Sequence, residues 1–169
     1  MTGPGGPPAG SPFDRHARGY RGGMEHPLKR IAGRDLDTFA KPKARWLLRD
    51  LARHPLPGER SGMPRLLEYG CGAGTFLRAL RRSGYPGPLH GCDASAGMLE
   101  EARRSWTDGD PPDFVPTRDG RAPYGEGLFD IVVLCGVLHH VSPAGRPPLL
   151  ADAARLLAPG GRLVVFEHN

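Results

Sequence analysis

An acidic residue and three glycines at alternate positions make up the stretch whose chemistry is easiest to name: Glu68, Gly70, Gly72 and Gly74. Apolar residues precede them, and apolar side chains at helical spacing follow, which predicts a strand, a tight turn and a helix. Such a turn leaves unpaired backbone N–H groups at the helix start, where the helix dipole favours an anionic group. A nucleoside ligand that carries an acid end would suit this site.

A second carboxylate, Asp93, ends the next apolar stretch, 19 residues after Gly74 and 23 residues after Gly70. At this interval a carboxylate at the tip of the second strand reaches the ribose hydroxyls of a nucleotide on the first turn. Its two oxygens can accept from two hydroxyls. A second role for Asp93, as a negative charge at the start of a helix that begins near Ser95, is compatible with the first.

The spacing of the glycines separates two classes of nucleotide ligand. A dinucleotide-binding turn has the pattern G-x-G-x-x-G and would require glycine at position 75, where this chain has Thr75. The pattern present is E-x-G-x-G-x-G. The spacing therefore disfavours a nicotinamide-dependent oxidoreductase.

With this pattern the stretch resembles motif I of the class I S-adenosylmethionine-dependent methyltransferases. The resemblance continues through Asp93, Phe129-Asp130, Val137–His140 and Leu157–Leu163, and it covers roughly residues 63 to 169 of a chain long enough for one such domain. It implies an α/β fold with a doubly wound, mainly parallel sheet of the Rossmann-like type. It also implies S-adenosyl-L-methionine as the cofactor and methyl transfer to an acceptor by in-line displacement.

The resemblance assigns roles to side chains around this turn. Glu68 would orient the turn and the ammonium of the methionine part. Asp119 would accept from the adenine amino group, although a β-turn aspartate is an equally good interpretation of that residue. The expected cofactor contacts are Glu68, Gly70, Cys71, Gly72, Gly74, Asp93, Ala94, Met98, Asp119, Gly120, Cys135 and, from the N-terminal segment, Tyr20.

Several of these residues also have ordinary structural interpretations. Met98 falls on the apolar stripe of its helix, and Tyr20 fits a half-buried tyrosine because no pattern fixes its register. Cys135 is expected at the carboxyl tip of a central strand, where ligands lie in open α/β sheets. Cys71, Cys92 and Cys135, with nearby histidines, also suggest a metal site, but no C-x-x-C or H-E-x-x-H spacing occurs and no metal is expected.

One histidine is a candidate for acid–base chemistry. A neutral imidazole has a suitable pKa to take a proton from a hydroxyl or amine acceptor, which makes His140 the candidate general base, ahead of His139. In the resembled family this segment is usually a structural corner, so both interpretations stay open. Methyl transfer from a sulfonium mainly requires that the acceptor and the methyl group be held in line, and it needs no nucleophile triad.

Apolar periodicity places these residues on a series of strands and helices. Asp35–His54 predicts a helix with Pro42 in its first turn and an apolar face that includes Trp46 and Leu47. Ala158–Gly161 predicts a turn between the last helix and the last strand. The expected strands are Leu66–Leu67, Leu89–Asp93, Phe114–Val115, Phe129–Leu134 and Arg162–Phe166.

Composition divides the chain into three parts. Residues 1–12 are rich in Gly, Pro, Ser and Ala and predict a disordered tail. Residues 13–60 predict an N-terminal helical lid, and residues 61–169 the S-adenosylmethionine-binding domain. In the resembled family two more strands follow the fifth, so this domain is expected to be incomplete at its C-terminus, with the edge of the fifth strand open to a partner.

Charge is concentrated towards the N-terminus. Residues 1–60 carry 12 Lys/Arg and 6 Asp/Glu, whereas residues 61–169 carry 11 and 12, within a net charge of +5. The basic residues are scattered among acidic ones with little aromatic interleaving, which disfavours nucleic-acid binding. No apolar run approaches the ~20 residues of a membrane span. The three cysteines predict reduced thiols, and we expect a cytoplasmic protein.

Three functional interpretations follow from the sequence. The leading one is an enzyme, an S-adenosylmethionine-dependent methyltransferase that acts on an unidentified small-molecule acceptor. The second is a cofactor-binding but inactive fragment or partner subunit, favoured by the missing C-terminal strands. A homo-oligomer, or a partner that covers the edge of the fifth strand, is compatible with either. A nicotinamide oxidoreductase comes third because of Thr75.

Overall fold

The computed structural model describes residues 36–57 and 63–167. The predicted tail at residues 1–12, most of the predicted lid and the candidate contact Tyr20 lie outside the described residues, and the three-part division of the chain stays a prediction. Among the residues that the structure describes, no helix combines the length and the apolar character that a membrane span requires.

Strands and helices alternate along the chain. In chain order they are α1 (Leu36–Arg53), β1 (Leu66–Tyr69), α2 (Thr75–Arg82), β2 (Leu89–Asp93), α3 (Ala96–Ser105), β3 (Asp113–Pro116), β4 (Phe129–Cys135), α4 (Arg146–Leu156) and β5 (Leu157–Phe166). The strands form one parallel sheet in the order β3-β2-β1-β4-β5. This confirms the doubly wound α/β fold. The order reverses between β1 and β4, where open sheets of this kind bind ligands at the carboxyl ends of the strands.

The sheet is buried on both faces, as the apolar runs of its central strands predict. Alternate residues of each strand point to opposite faces, so neighbouring side chains belong to different core clusters. On one face Leu66 and Ile131 pack with α1, α2 and α3. On the other face Leu67 and Val132 pack with α4. Glu68, two residues after Leu66, lies on the side that α1 and α2 cover.

α1 differs from the prediction in two respects. Pro42 lies inside the helix rather than in its first turn, since the helix begins at Leu36, one residue after the predicted start. Trp46, predicted on the apolar face, is 49% exposed, since Ala44 and Leu47 take the buried side. These two predictions were wrong, although the helix itself is confirmed.

The elements on either side of Asp93 agree with the sequence. β2 ends at Asp93, as predicted. Ser95 is the N-cap of α3, and its buried hydroxyl oxygen accepts from the backbone N–H of Met98 at 3.2 Å. This cap fixes the start of α3 and therefore the position of Asp93, two residues before the cap.

β5 begins earlier than predicted. Leu157 already pairs with Phe129, and pairing resumes between Arg162 and Ile131, so Ala158–Gly161 forms a bulge inside the strand rather than a turn before it. A Cβ at position 161 would lie 2.9 Å from the Ala158 carbonyl oxygen. Only glycine fits this close approach of backbone to backbone.

β5 is the last strand at one side of the sheet, and no strand within residues 36–57 and 63–167 pairs with its outer edge. Val165 is 42% exposed there. α1 is tied to β5 by Arg162, whose guanidinium donates to the Asp50 carboxylate at 2.5 Å and to the His54 carbonyl at 2.8 Å. The expectation that a partner or a second copy covers this edge stays a prediction.

Candidate functional site

The glycine turn between β1 and α2 has three residues with positive φ. Gly70, Gly72 and Gly74 have φ of 77°, 51° and 70°, in the left-handed region that favours glycine. A Cβ on Gly70 would lie 2.7 Å from a methyl of Val137, and one on Gly74 would lie 3.1 Å from the ring of Phe114. Backbone conformation and packing therefore account for two of these glycines without a ligand.

Several backbone N–H groups in the turn already have acceptors. The N–H groups of Gly70 and Cys71 donate to the Cys92 carbonyl at 2.8 and 3.0 Å, and that of Gly74 donates to the Cys71 carbonyl at 2.9 Å. The side chain of Cys71 is buried. These three N–H groups are therefore paired with the end of β2 and within the turn, and the prediction of open N–H groups, which concerned the start of α2, stays a prediction.

Asp93 points at the glycine turn. One oxygen, Oδ2, accepts from the N–H of Gly72 at 2.8 Å, and the other accepts from the N–H of Ser95 at 2.9 Å. Each carboxylate oxygen keeps a second lone pair for another donor. Asp93 therefore serves the start of α3 and also lies against the glycine turn; its contact with a nucleotide stays a prediction.

Glu68 is a buried carboxyl, 3% exposed, beside this turn. Burial raises its pKa well above the usual range, and the charge of Asp93 adds to the rise, while the backbone N–H of Leu77 and the ammonium of Lys43 oppose it. Its Oε2 has no hydrogen-bond partner among residues 36–57 and 63–167. A buried acceptor without a donor is costly, so this atom suits a donor that a ligand supplies.

The three cysteines near the site are held as neutral thiols. Burial raises the pKa of Cys71 and of Cys92, and it raises the pKa of Cys135 to about 11, with the charge of Glu68 adding to the rise at Cys135 and Lys43 opposing it. Thiolates are the form that binds metals and attacks electrophiles. Within the described ranges no three His, Cys, Asp or Glu side chains are grouped so that they could hold a metal ion.

Asp119 and Gly120 form a tight turn after β3. Both have positive φ, 50° and 74°, and Arg118 and Arg121 exchange two backbone hydrogen bonds of 2.8 and 2.9 Å around them. The side chain of Asp119 is exposed. This geometry is that of the β-turn aspartate considered above. The Tyr69 hydroxyl donates to the Gly120 carbonyl at 3.0 Å and holds the turn against the end of β1.

Asp152, on α4, stabilises the same turn by accepting hydrogen bonds. It is 4% exposed, and it accepts from the Tyr69 hydroxyl at 3.1 Å and the Ala122 N–H at 2.9 Å. Its other oxygen accepts from Arg121 at 3.1 Å and Arg155 at 2.9 Å. Burial alone would raise the pKa of Asp152, but these hydrogen bonds outweigh it and lower the pKa. Sequence reasoning missed this residue.

Two further predicted contacts flank Asp93. Met98 is partly buried in the first turn of α3, and its terminal methyl lies 3.3 Å from the position that a Cβ on Gly72 would take. Ala94 directly follows Asp93 and is exposed. Met98 therefore borders the glycine turn.

The two histidines lie on a short 3-10 turn after β4. The Glu167 carboxylate accepts from the N–H groups of Val137 and Leu138 at 2.7 and 2.6 Å and lies 2.8 Å from Nδ1 of His139. His140 is exposed, and its ring centroid lies 3.9 Å from that of His139. Glu167 thus fixes a corner, which agrees with the structural interpretation of this segment.

Lys43 is a further charged residue that sequence reasoning did not place at the site. Its Nζ lies 3.5 Å from Sγ of Cys135, at the carboxyl end of β4, and 5.9 Å from the centre of the Phe166 ring. A signal was present in the sequence. Lys43 stands three residues after Ala40 and four before Leu47, in the buried stripe of α1, where a lysine is unusual.

The described residues also form an open groove along α1 and β5. It is lined by Trp46, Asp50, His54 and residues 162–166. One of its lining residues, Phe166, lies near Lys43. The sequence predicted an open strand edge here but no groove.

The strand order, the glycine turn after β1 and the carboxylate that ends β2 place the chain in the class of Rossmann-like α/β domains. Residues 66–161 match a family described as a methyltransferase domain. The chain belongs to this family, which confirms the resemblance that the glycine pattern indicated.

Individual relatives extend this likeness. A demethylmenaquinone methyltransferase from Beutenbergia cavernae is 37% identical over 115 residues, which cover 67% of this chain and 42% of that protein. The mouse protein named "Probable tRNA methyltransferase 9B" is 29% identical over 135 residues, 78% of this chain and 26% of that protein. This chain thus spans less than half the length of these two relatives.

A crystal structure shows the same fold. The TehB-like SAM-dependent methyltransferase from Corynebacterium glutamicum has a TM-score of 0.63 against this chain, at 22% sequence identity. The match covers 89% of this chain and 72% of that chain. At this identity the likeness concerns the arrangement of strands and helices.

Proposed function

We propose that this chain binds S-adenosylmethionine at the carboxyl ends of β1 and β2 and transfers its methyl group to a small-molecule acceptor. The observation that carries the proposal is the Asp93 carboxylate, 2.8 Å from the N–H of Gly72. It brings the acidic end of β2 to the glycine turn, as a nucleoside site between these elements requires. Membership of the methyltransferase domain family supports the reaction class.

The residues present fit the two polar ends of such a ligand. The second lone pairs of the Asp93 oxygens can accept from the ribose hydroxyls. The unpaired Oε2 of Glu68 can accept from the ammonium of the methionine part. Met98 and the turn at Asp119 and Gly120 would border the adenine. When bound, S-adenosylmethionine would supply its methyl group as the electrophile, and the leaving group would be the neutral thioether S-adenosylhomocysteine.

The protein's part in this chemistry is mainly positional. Asp93 and Glu68 would hold the two ends of the ligand, so that an acceptor approaching from the open side meets the methyl group in line. His140, exposed on the corner after β4, is our candidate for taking a proton from the acceptor. The neutral Cys135 thiol would contribute shape rather than charge.

The acceptor class rests on the relatives. The Beutenbergia cavernae relative is named for a quinone substrate, and it is more similar to this chain than the mouse relative, which is named for tRNA. We therefore favour a small aromatic or quinone-like acceptor. In a methyl-transfer assay with radiolabelled S-adenosylmethionine, label should enter the organic extract when demethylated quinols are supplied. Label that enters only added tRNA would overturn this choice.

Binding of the cofactor product is the direct test of the site. In isothermal titration calorimetry the intact chain should bind S-adenosylhomocysteine, and Asp93→Ala should weaken binding about tenfold or more, because charged hydrogen bonds to the ribose are lost. Asp110→Ala is the matched control, since Asp110 is an exposed loop aspartate. Absence of binding by the intact chain, or equal affinity of the Asp93 and Asp110 variants, would contradict the proposal.

A further inference from the structure

We propose that Lys43 binds the carboxylate at the amino-acid end of the ligand, and that Lys43 and Glu68 together recognise a zwitterionic α-amino acid group. The inference rests on the proposed function and adds to it a ligand-binding residue from α1. The two side chains come from different layers of the fold: Glu68 from the central strand β1 and Lys43 from the helix packed over it.

Lys43 reaches the point where the strand order of the sheet reverses. Its Nζ lies 3.5 Å from Sγ of Cys135, the last residue of β4, and it interacts electrostatically with Glu68 near the end of the adjacent strand β1. The gap between the carboxyl ends of these two strands is where open α/β sheets bind ligands. Lys43 therefore brings a positive charge to that gap.

An anionic ligand group at this turn needs a cation, because several backbone N–H groups of the turn already have acceptors. Those of Gly70 and Gly74 donate to the carbonyls of Cys92 and Cys71, and that of Gly72 donates to Asp93. The N–H of Leu77, in the first turn of α2, is directed to the Glu68 carboxyl. A carboxylate placed here would therefore find a charged donor in Lys43.

The hydrogen bond that Lys43 makes within the described residues is a weak one, and its electrostatic interaction with Glu68 would persist when a ligand binds. Its hydrogen-bond acceptor within residues 36–57 and 63–167 is the Cys135 sulfur, and the pKa of that thiol is raised to about 11, so the acceptor is neutral and weak. The ring of Phe166 lies under the ammonium at 5.9 Å from its centre. Exchanging a thiol for a carboxylate would give a charge-assisted hydrogen bond.

The charges of the pair match those of an α-amino acid, because a ligand ammonium beside Glu68 favours the ionised form of this carboxyl against the effect of burial. The unpaired Oε2 of Glu68 suits an ammonium donor, and the ammonium of Lys43 suits a carboxylate acceptor. A nucleoside phosphate would present a second anion to Glu68 and Asp93 instead. The site therefore favours a ligand whose end bears both charges over one whose end is only anionic.

A purely structural role for Lys43 makes a different prediction. If Lys43 only offsets the charge of buried Glu68, its loss should weaken the contact of Glu68 with the ammonium, and so weaken every ligand that carries the ammonium, with or without a carboxylate. If it binds the ligand carboxylate, its loss should weaken only ligands that have one.

The experiment compares two ligands on one variant by calorimetry. S-adenosylhomocysteine carries both charged groups of the amino-acid end, whereas its decarboxylated analogue, 5′-(3-aminopropylthio)-5′-deoxyadenosine, keeps the adenosine, the thioether and the ammonium without the carboxylate. Lys43→Met should raise the Kd of S-adenosylhomocysteine about tenfold or more, and leave the Kd of the decarboxylated analogue within about twofold. Lys41→Met, an exposed lysine of the same helix, should change neither.

The outcomes separate this inference from the proposed function. An equal loss of affinity for both ligands, or no loss for either, would overturn the role of Lys43 while leaving the site in place. Failure of the unchanged chain to bind either ligand would overturn the proposed function itself. If Lys43→Met does not fold, Lys43→Gln keeps a polar side chain of similar length without the charge, and the same ratio of the two Kd values decides.

Discussion

Two features of the structure disfavour any side chain at Gly70. Its φ of 77° disfavours any L side chain, and an added Cβ would lie 2.7 Å from a methyl of Val137. We expect Gly70→Ala to lower the free energy of unfolding by about 1–2 kcal/mol for the backbone conformation, and by a further ~1–3 kcal/mol for overpacking against Val137. Urea unfolding followed by circular dichroism measures the sum.

Gly109 separates the two costs. Its φ of 80° is close to that of Gly70, but nothing lies within 4 Å of the position its Cβ would take. Gly109→Ala should therefore show only the backbone cost, and Val137→Ala should restore part of the stability of the Gly70→Ala variant. Equal losses in Gly70→Ala and Gly109→Ala would show that the contact with Val137 has no energetic effect.

The residues that the sequence could place are those whose spacing along the chain carries the information. Asp93 was predicted at the glycine turn because strand, turn and helix lengths are similar across folds of this kind, and the structure puts it there. Lys43, Asp152 and Glu167 were not predicted. Each acts across a long sequence separation, for example 92 residues between Lys43 and Cys135, and such pairs depend on how whole elements pack.

Among the elements, α4 and the turn after β3 form one unit through Asp152. This carboxylate is buried and accepts from Tyr69 of β1, from the Ala122 N–H and from Arg155 of α4. Asp152→Ala would remove the acceptor of the buried Ala122 N–H and one acceptor each of Tyr69 and Arg155, and we expect a loss of about 2–4 kcal/mol in the free energy of unfolding. Arg121, whose side chain is 63% exposed, should contribute little to this loss.

Chemical denaturation tests this connection between elements. Asp110→Ala serves as the control, because an exposed loop aspartate should change stability by no more than about 0.5 kcal/mol. Hydrogen exchange should also show faster exchange at the Ala122 amide in Asp152→Ala. A loss no larger than that of the control would mean that Asp152 does not hold α4 to the turn.

Element boundaries were predictable where a local signal marks them. β2 and the start of α3 were placed correctly because Asp93 and the Ser95 cap are local features. Pro42 and the segment Ala158–Gly161 were misplaced. The start of α1 was predicted to within one residue, and only the position of Pro42 within the helix was wrong. For Ala158–Gly161 strand pairing decided, because the pairing of Leu157 with Phe129 draws the glycines into β5.

At the scale of the whole molecule, acidic groups that are wholly or partly buried should make the stability fall both at acid pH and at higher pH. Burial tends to raise the pKa of Asp152 and Glu167, but hydrogen bonds outweigh it and lower both. Their stabilising contribution is present above the pKa of an unfolded carboxyl, about 4, and is lost as pH falls through the folded values. Stability should therefore decline on the acid side.

Glu68 acts in the opposite direction. Burial, and then the charge of Asp93, raise its pKa, against the opposing effects of Leu77 and Lys43. A carboxyl with a raised folded pKa contributes stability that is fully present below the unfolded pKa. That contribution is lost as pH rises through the folded pKa. Stability should therefore also decline above about pH 4.5, where unfolded Glu68 begins to ionise.

Glu68→Gln should remove this second decline, because glutamine does not titrate and has nearly the same shape. In urea unfolding at a series of pH values, the stability of Glu68→Gln relative to the unchanged chain should rise with pH above about 4.5, by at most about 1.4 kcal/mol per pH unit for one proton. The rise should stop once Glu68 is ionised in the folded chain.

Glu100→Gln, at an exposed position of α3, should give a curve parallel to that of the unchanged chain. A parallel curve for Glu68→Gln as well would show that Glu68 titrates alike in the folded and unfolded states. Burial beside the glycine turn would then not raise the pKa of this carboxyl.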